Sequence, residues 1–336
     1  MISTIHQIAC RIRSPHFCLL VMLLAFVFVS VSGGQEQSDN NPVAAFVDDQ
    51  PILVSRLQLQ VDLVLTKTPA TGRKLEIIKA QVLEENIKQR LVNLYLQNSK
   101  FKATDSEIQL QLGNVKKDIA AQKSTLDKFL KQRGITEKQL IQSIGWDLAW
   151  AKYVDNFLTD TNLQKYFDQN RRRFDGTQLR VAHILFKPED INDSKSWDKA
   201  FADAKSVFAD IEKGKIDFEK AVVQFSSGAT KINNGELGWI GWRGPMAREF
   251  TISSFQLKPD QISVPTRSGF GFHLIKLLEE KPGTIKMTDI RPQVAQQVKR
   301  YLFDFVGNNQ AKKSKIQFTG KSPYFEFGTK ILVVPK

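Results

Sequence analysis

Leu179-Arg180-Val181-Ala182-His183-Ile184-Leu185-Phe186 is an apolar run of strand length with a histidine inside it. Gly269-Phe270-Gly271-Phe272-His273-Leu274-Ile275-Lys276 repeats the design with a second histidine. Between the two lies the turn sequence Asn234-Gly235-Glu236-Leu237-Gly238-Trp239. Only two further histidines exist, His6 and His16, and both fall in an N-terminal segment expected to be removed. Two imidazoles on apolar strands, with such a turn between them, mark one small catalytic module. The pattern argues against a metalloenzyme or a hydrolase.

That N-terminal segment, residues 1–33, reads as an export signal peptide. Arg11 and Arg13 supply a positive start, and Phe17 to Val31 is an apolar run of 15 residues, short for a membrane span. Ser30, Ser32, Gly33 and Gly34 offer small residues for cleavage. An uncleaved membrane anchor is the alternative. Both cysteines, Cys10 and Cys18, lie inside this segment, and Cys18 is not at a lipidation position. The mature chain then has neither a disulfide nor a thiol nucleophile, and its stability must come from burial. A chain of 336 residues, 42% of them apolar, can supply that as two or three domains. Removing Arg11 and Arg13 takes the net charge from +13 to +11. No nucleic-acid motif accompanies that excess. Arg171-Arg172-Arg173 and Lys312-Lys313 read as solvated charge, with steering of polypeptides or association with a membrane surface as the other reading.

Residues 34–42 read as a polar linker. Val43 to Leu57 fits a short strand, a turn at Asp48-Asp49 and a helix start with Ser55 as N-cap. From Arg73 to Phe101 apolar residues recur at three- and four-residue steps, which predicts a long amphipathic helix. Thr104 and Glu107 resemble a capping box. Leu126 to Gln132 is a short helix closed by Gly134, and Thr136 caps another that runs to Leu158. A short helix begins at Leu163. Residues 43–175 thus read as a helical region.

The pattern changes at Gln178. A strand from Leu179 to Phe186 leads through a loop, Lys187 to Lys195, to a helix from Ser196 to Lys213. Asp217 caps a short helix carrying Phe218, Ala221, Val222 and Phe225, and Met246 to Phe255 is another. Gln261 to Pro265 and Gly271 to Leu278 are further strands. Strands and helices alternate too irregularly for a doubly wound sheet, so the fold class is α+β. Thr288 caps a last helix, Asp289 to Ala311, expected to pack back on the N-terminal helices. The tail, 319–336, fits a hairpin or an edge strand.

Residues 178–282 resemble a parvulin-type peptidyl-prolyl isomerase domain. The resemblance rests on Val181-Ala182-His183-Ile184-Leu185, Asn234 to Trp239, Met246 with Phe250, Val264, and Gly271 to Ile275. Residues 43–175 with 286–318 resemble, more weakly, the helical chaperone region of SurA-like and PrsA-like exported foldases. The resemblance implies a four-stranded antiparallel sheet with surrounding helices, beside a mainly helical chaperone domain built from N- and C-terminal segments. It implies an isomerase and folding chaperone for exported, periplasmic or cell-envelope polypeptides, with no metal and no cofactor.

The chemistry is consistent with that inventory. Rotating an amide C–N bond costs about 20 kcal/mol of lost resonance, and X-Pro bonds isomerise slowly unaided. A catalyst needs apolar side chains to grip the proline ring and a few fixed donors for the twisted imide. By the resemblance, Leu237, Met246 and Phe250 line the proline pocket. His183 and His273 face each other beneath it, and Ser268 completes their network. Each histidine is open to a catalytic or a structural reading, and the three apolar residues alone would read as core. Trp239 reads as a packing residue. Trp242 reads as a rim residue and an extra client contact. Parvulin-type domains carry an acid or thiol in the loop before the turn. Here that position falls on Gly228, or on Ser227 if the loop shifts, and Ser227 is the candidate replacement. The competing function is a holdase chaperone with a weak or inactive isomerase domain.

Overall fold

The structure, a computed structural model, describes residues 41–191, 193–326 and 331–335. The leader and nearly all of the linker lie outside the described residues. Two compact units divide the chain. The first takes residues up to Leu158 and from Lys299 onward, and the second is Thr159–Val298. Residues 159–175 and 286–298, grouped with the helical region on sequence grounds, fall in the second unit.

The first unit opens with a hairpin, β1 (Val43–Val47) and β2 (Gln50–Leu53), turned at Asp48, whose φ is 51°. Pro51 to Leu53 are therefore strand, and helix α1 (Val54–Leu65) follows with no break. Ser55 is not its N-cap. Leu53 holds that place without a side-chain bond, and Ser55 Oγ accepts from Asn41 Nδ2 at 2.7 Å. Helices α2 (Gly72–Gln97), α3 (Asp105–Ala121), α4 (Leu126–Arg133) and α5 (Glu137–Phe157) complete the N-terminal portion.

Their ends are set locally. Thr104 Oγ1 accepts from Glu107 N at 3.3 Å while the Glu107 carboxylate accepts from Thr104 N at 2.7 Å. Thr136 and Gln139 repeat this capping box on α5. Gly134, at φ 61°, closes α4. Leu112, Val115, Ile119, Leu140 and Ile144 form a core between α3 and α5. Along α5, Trp146, Trp150 and Tyr153 stack in sequence, their centroids 6.0 and 5.6 Å apart.

The second unit runs through α6 (Asp160–Gln169), α7 (Arg171–Phe174), β3 (Gln178–Phe186), α8 (Ser194–Glu212), α9 (Phe218–Phe225), β4 (Glu236–Gly241), α10 (Arg248–Ser254), β5 (Thr266–Ser268) and β6 (Gly271–Lys281). The sheet is antiparallel in the order β4-β3-β6-β5. Helix α8 starts two residues earlier than its pattern suggests, because the Asp193 carboxylate accepts from Lys195 N and Ser196 N. Asp217 does not cap α9 through its side chain; it pairs with Lys220 at 2.8 Å instead.

The strand expected at Gln261 to Pro265 lies later, at Thr266–Ser268. Pro265 has no N–H to give a ladder. Ser263 replaces part of one: its N donates to Ile275 O at 2.8 Å, and its Oγ accepts from Ile275 N at 3.0 Å.

The last helix, α11 (Arg291–Ala311), begins after a 3-10 turn, Met287–Ile290, so Thr288 is not its cap. Pro292 fits its first turn, where a missing N–H costs no helix bond. Arg300 reaches Glu85 with two bonds of 3.0 Å, and Phe303 stands edge-on to Trp150 at 5.9 Å. The chain ends with β7 (Ile316–Phe318), β8 (Tyr324–Phe325) and β9 (Leu332–Val333). β7 pairs with β1, matching Val47 to Ile316 and Ala45 to Phe318, while β8 and β9 form a separate hairpin.

Candidate active site

Side chains alternate across a strand, so β3 and β6 each present two sets. One set, Ala182, Ile184, Phe186, Phe272 and Leu274, is sealed by residues of α8 and α9, including Ala204, Val207 and Val222. The other set includes Leu179, Val181, Ile275 and Leu277, and it packs with Ile240, Phe250, Phe255 and Leu257. His183 and His273 continue this second set. Register places Leu185 opposite His273 and His183 opposite Ile275, which makes the imidazoles diagonal neighbours on one face.

The two rings lie nearly parallel, 16° apart in plane, with centroids at 5.3 Å and Nδ1 atoms at 3.1 Å. Phe250 stands edge-on to both, at 5.8 Å from His183 and 5.3 Å from His273. Each outer nitrogen has a hydroxyl: Ser268 Oγ lies 2.6 Å from His273 Nε2, and Thr230 Oγ1 lies 3.1 Å from His183 Nε2. Burial pushes both imidazoles down to about 4, with repulsion from His183 adding to the effect on His273. Both are neutral at pH 7. A neutral ring has one donor and one acceptor nitrogen, so the four-membered series can be fully bonded. It offers polar contacts in a desolvated place without a net charge.

The loop beside it is fixed to β3. Ser226 Oγ accepts from Leu185 N and Gly228 N, each at 3.2 Å, and Ser227 N donates to Leu185 O at 2.7 Å. The next strand arrives through Asn234 (φ 49°) and Gly235 (φ 78°). A Cβ at Gly235 would sit 2.4 Å from His183 O, so only glycine permits the bond from His183 N to Gly235 O at 2.9 Å.

Comparison with known proteins gives this geometry a family. The family model described as a PPIC-type PPIase (rotamase) domain matches residues 183–279, from His183 into β6. A second, described as a SurA-like N-terminal domain, matches residues 1–154. The chain carries a parvulin-type rotamase domain behind a SurA-like domain. Among curated relatives, a foldase protein PrsA from Caldanaerobacter subterraneus is 26% identical over 324 residues, covering 89% of this chain and 95% of its own. A PrsA from Geobacillus kaustophilus is 27% identical over 242 residues, covering 71% and 76%. A chaperone SurA from Alcanivorax borkumensis is 22% identical over 289 residues, covering 82% and 65%. The rotamase domain and the foldase and chaperone relatives together support peptidyl-prolyl isomerase and chaperone function.

The parvulin domain brings most of the sequence-predicted residues together. His183, His273, Ser268 and Phe250 are in contact, and Leu237 and Met246 are half-buried against the same layer. Ser227 is not part of this group. Its side chain is exposed, because Ser226 takes the buried place in the loop. Position 228 is the one that faces His183: a Cβ there would lie 3.3 Å from His183 Nε2. The hydroxyl on that nitrogen comes from Thr230, in the 3-10 turn Ala229–Asn233, and spacing alone gave no sign of it.

Trp242 packs on the same apolar layer as Leu237 and Met246, farther along it. It follows β4 at the end paired with Gln178, five residues along β3 from His183 and about 16 Å away at strand rise. There it is half-buried, edge-on to Phe255 at 5.2 Å with the Arg173 guanidinium over its ring at 4.8 Å. It lines a cavity of about 240 Å³ with Arg172, Arg173 and Ile285. Trp239, expected to pack, is 45% exposed instead, on the outer side of edge strand β4. No His, Cys, Asp and Glu grouping suited to a metal occurs among the described residues.

Proposed function

We propose that the parvulin domain grips the proline of X-Pro segments on Leu237, Met246 and Phe250 and eases rotation of the imide above the histidine pair. The observation that carries this reading is the neutral, desolvated His183–His273 pair under Phe250, with a hydroxyl on each outer nitrogen. Such a site holds fixed dipoles and an apolar wall, which is what a twisted imide needs and a planar one does not. The pair supports the geometry of the pocket; no proton need leave it.

The helical unit holds unfolded or partly folded polypeptides while the isomerase acts. The leader at 1–33 directs the protein to the periplasm or cell envelope and is removed on export. The +11 charge left once the leader is removed favours acidic clients and gives contact with an anionic membrane surface a physical basis. Co-sedimentation with anionic vesicles that salt abolishes tests that contact.

Acceleration of cis-to-trans isomerisation in a panel of X-Pro peptides, beside a Phe250→Ala control, tests the site. Strong acceleration lost in the control supports it. A well-folded protein with no acceleration replaces it with a second reading, a holdase with a binding-only proline site. Gly228 favours that second reading, since no acid or thiol stands at the position facing His183. Refolding of a proline-limited client, set against aggregation of a proline-free client, separates the two.

A further inference from the structure

The hydrogen bonds around the histidines can run in either of two directions, and the surroundings of the two hydroxyls choose between them. Ser268 is buried, and its Oγ already accepts from Phe270 N at 3.1 Å. If His273 Nε2–H also donated to Ser268, that oxygen would take two donors. Its own hydrogen would then be buried without an acceptor among the described residues, which is costly. If Ser268 instead donates to His273 Nε2 at 2.6 Å, every group there is met. The rest then follows. His273 Nδ1–H donates to His183 Nδ1, and His183 Nε2–H donates to Thr230 Oγ1. Thr230 is half-buried at the open end, and its own O–H hydrogen is left over.

We propose that Thr230 is a catalytic residue of this isomerase, offering its O–H to the substrate imide at the end of a one-way series running from Ser268 through His273 and His183. The inference rests on the isomerase reading above. The imide nitrogen gains a localised lone pair as conjugation is lost, so a donor placed there bonds the twisted form better than the planar one. No bond breaks, and the proton stays on Thr230. Gly228 is the condition for this arrangement. Its φ of −79° suits any residue, yet a side chain there would compete with Thr230 for His183 Nε2 from 3.3 Å. Ser268, acting through two rings, is a positioning residue.

The test uses the full chain, with peptide isomerisation and histidine tautomers read in parallel. Thr230→Val should lower kcat roughly tenfold or more with little change in KM, as for loss of one transition-state donor. Thr230→Ser should restore it. Long-range proton–nitrogen NMR should place the hydrogen of His183 on Nε2 and that of His273 on Nδ1. The proposal is overturned if Thr230→Val works as well as wild type while Phe250→Ala does not, or if His183 carries its hydrogen on Nδ1. Wild type and Phe250→Ala alike in failing to accelerate would overturn the isomerase site itself and Thr230's catalytic role with it.

Discussion

The Nδ1 atoms of His183 and His273 stand 3.1 Å apart, so one ring must donate to the other and a second proton has no room. Both side chains are held down to about 4, by burial above all, while in the unfolded chain they titrate near 6.5. The unfolded state therefore binds protons first as pH falls. The stability associated with the neutral pair should be fully present above about pH 6.5 and lost progressively as pH falls towards about 4. Urea unfolding across this range should show the decline. A His183→Asn, His273→Asn double variant should flatten it; an unchanged slope would mean that other groups carry the acid sensitivity.

Met246→Ala and Phe250→Ala should cut isomerase activity much more than Ser268→Ala. Phe250 is buried and touches both imidazoles, so its truncation should also cost the domain about 3–5 kcal/mol. Met246 is half-buried, which makes it the cleaner probe of the pocket. A loss of roughly tenfold or more in kcat/KM for Met246→Ala, at near-native unfolding midpoint, is the expected result. Equal effects at Met246 and Ser268 would remove Met246 from the proline pocket.

Thr104→Ala should destabilise the helical unit by about 1 kcal/mol, the usual worth of an N-cap. It removes one half of the capping box and one of the contacts that hold Glu107 down to about 2. Glu107 keeps its bond to Lys152 at 2.6 Å, so Glu107 should stay ordered. Urea unfolding followed by circular dichroism measures the difference, and peptide isomerisation should not change.

Deleting residues 286–336 removes α11 and β7 together. Buried Leu302, Phe303 and Val306 leave the helical unit, and β1 loses the partner of Ala45 to Val47. The helical unit should lose cooperative unfolding while the sheet of the second unit stays protected from amide exchange. Protection lost in both units at once would mean that the sheet needs residues 286–298 of its own unit or that the two units fold as one.

What could be read along the sequence was what is decided locally. The capping box at Thr104, the cap at Thr136 and the stop at Gly134 depend on neighbours within one turn. The histidines stood out because each sits in an apolar run of strand length, and the resemblance to a parvulin-type domain set them face to face. Thr230 did not stand out, since its reach to His183 depends on a 3-10 turn and on the absent side chain of Gly228. Ser227 came from counting back from Gly235, and a count along the chain does not show that Leu185 N bonds to Ser226 Oγ and draws that neighbour into the buried place. The strand near Gln261 was displaced because Pro265 interrupts the ladder that its apolar neighbours suggest.

The pairing of Val47 with Ile316 has a consequence for the order of events as the chain is made. A sheet whose middle strand comes first and whose edge strand comes near the end cannot close until almost the whole polypeptide has emerged. The isomerase unit, continuous from Thr159 to Val298, can finish earlier. A newly made molecule would then gain its proline site before its helical unit is sealed, and would itself be a half-folded substrate in the meantime.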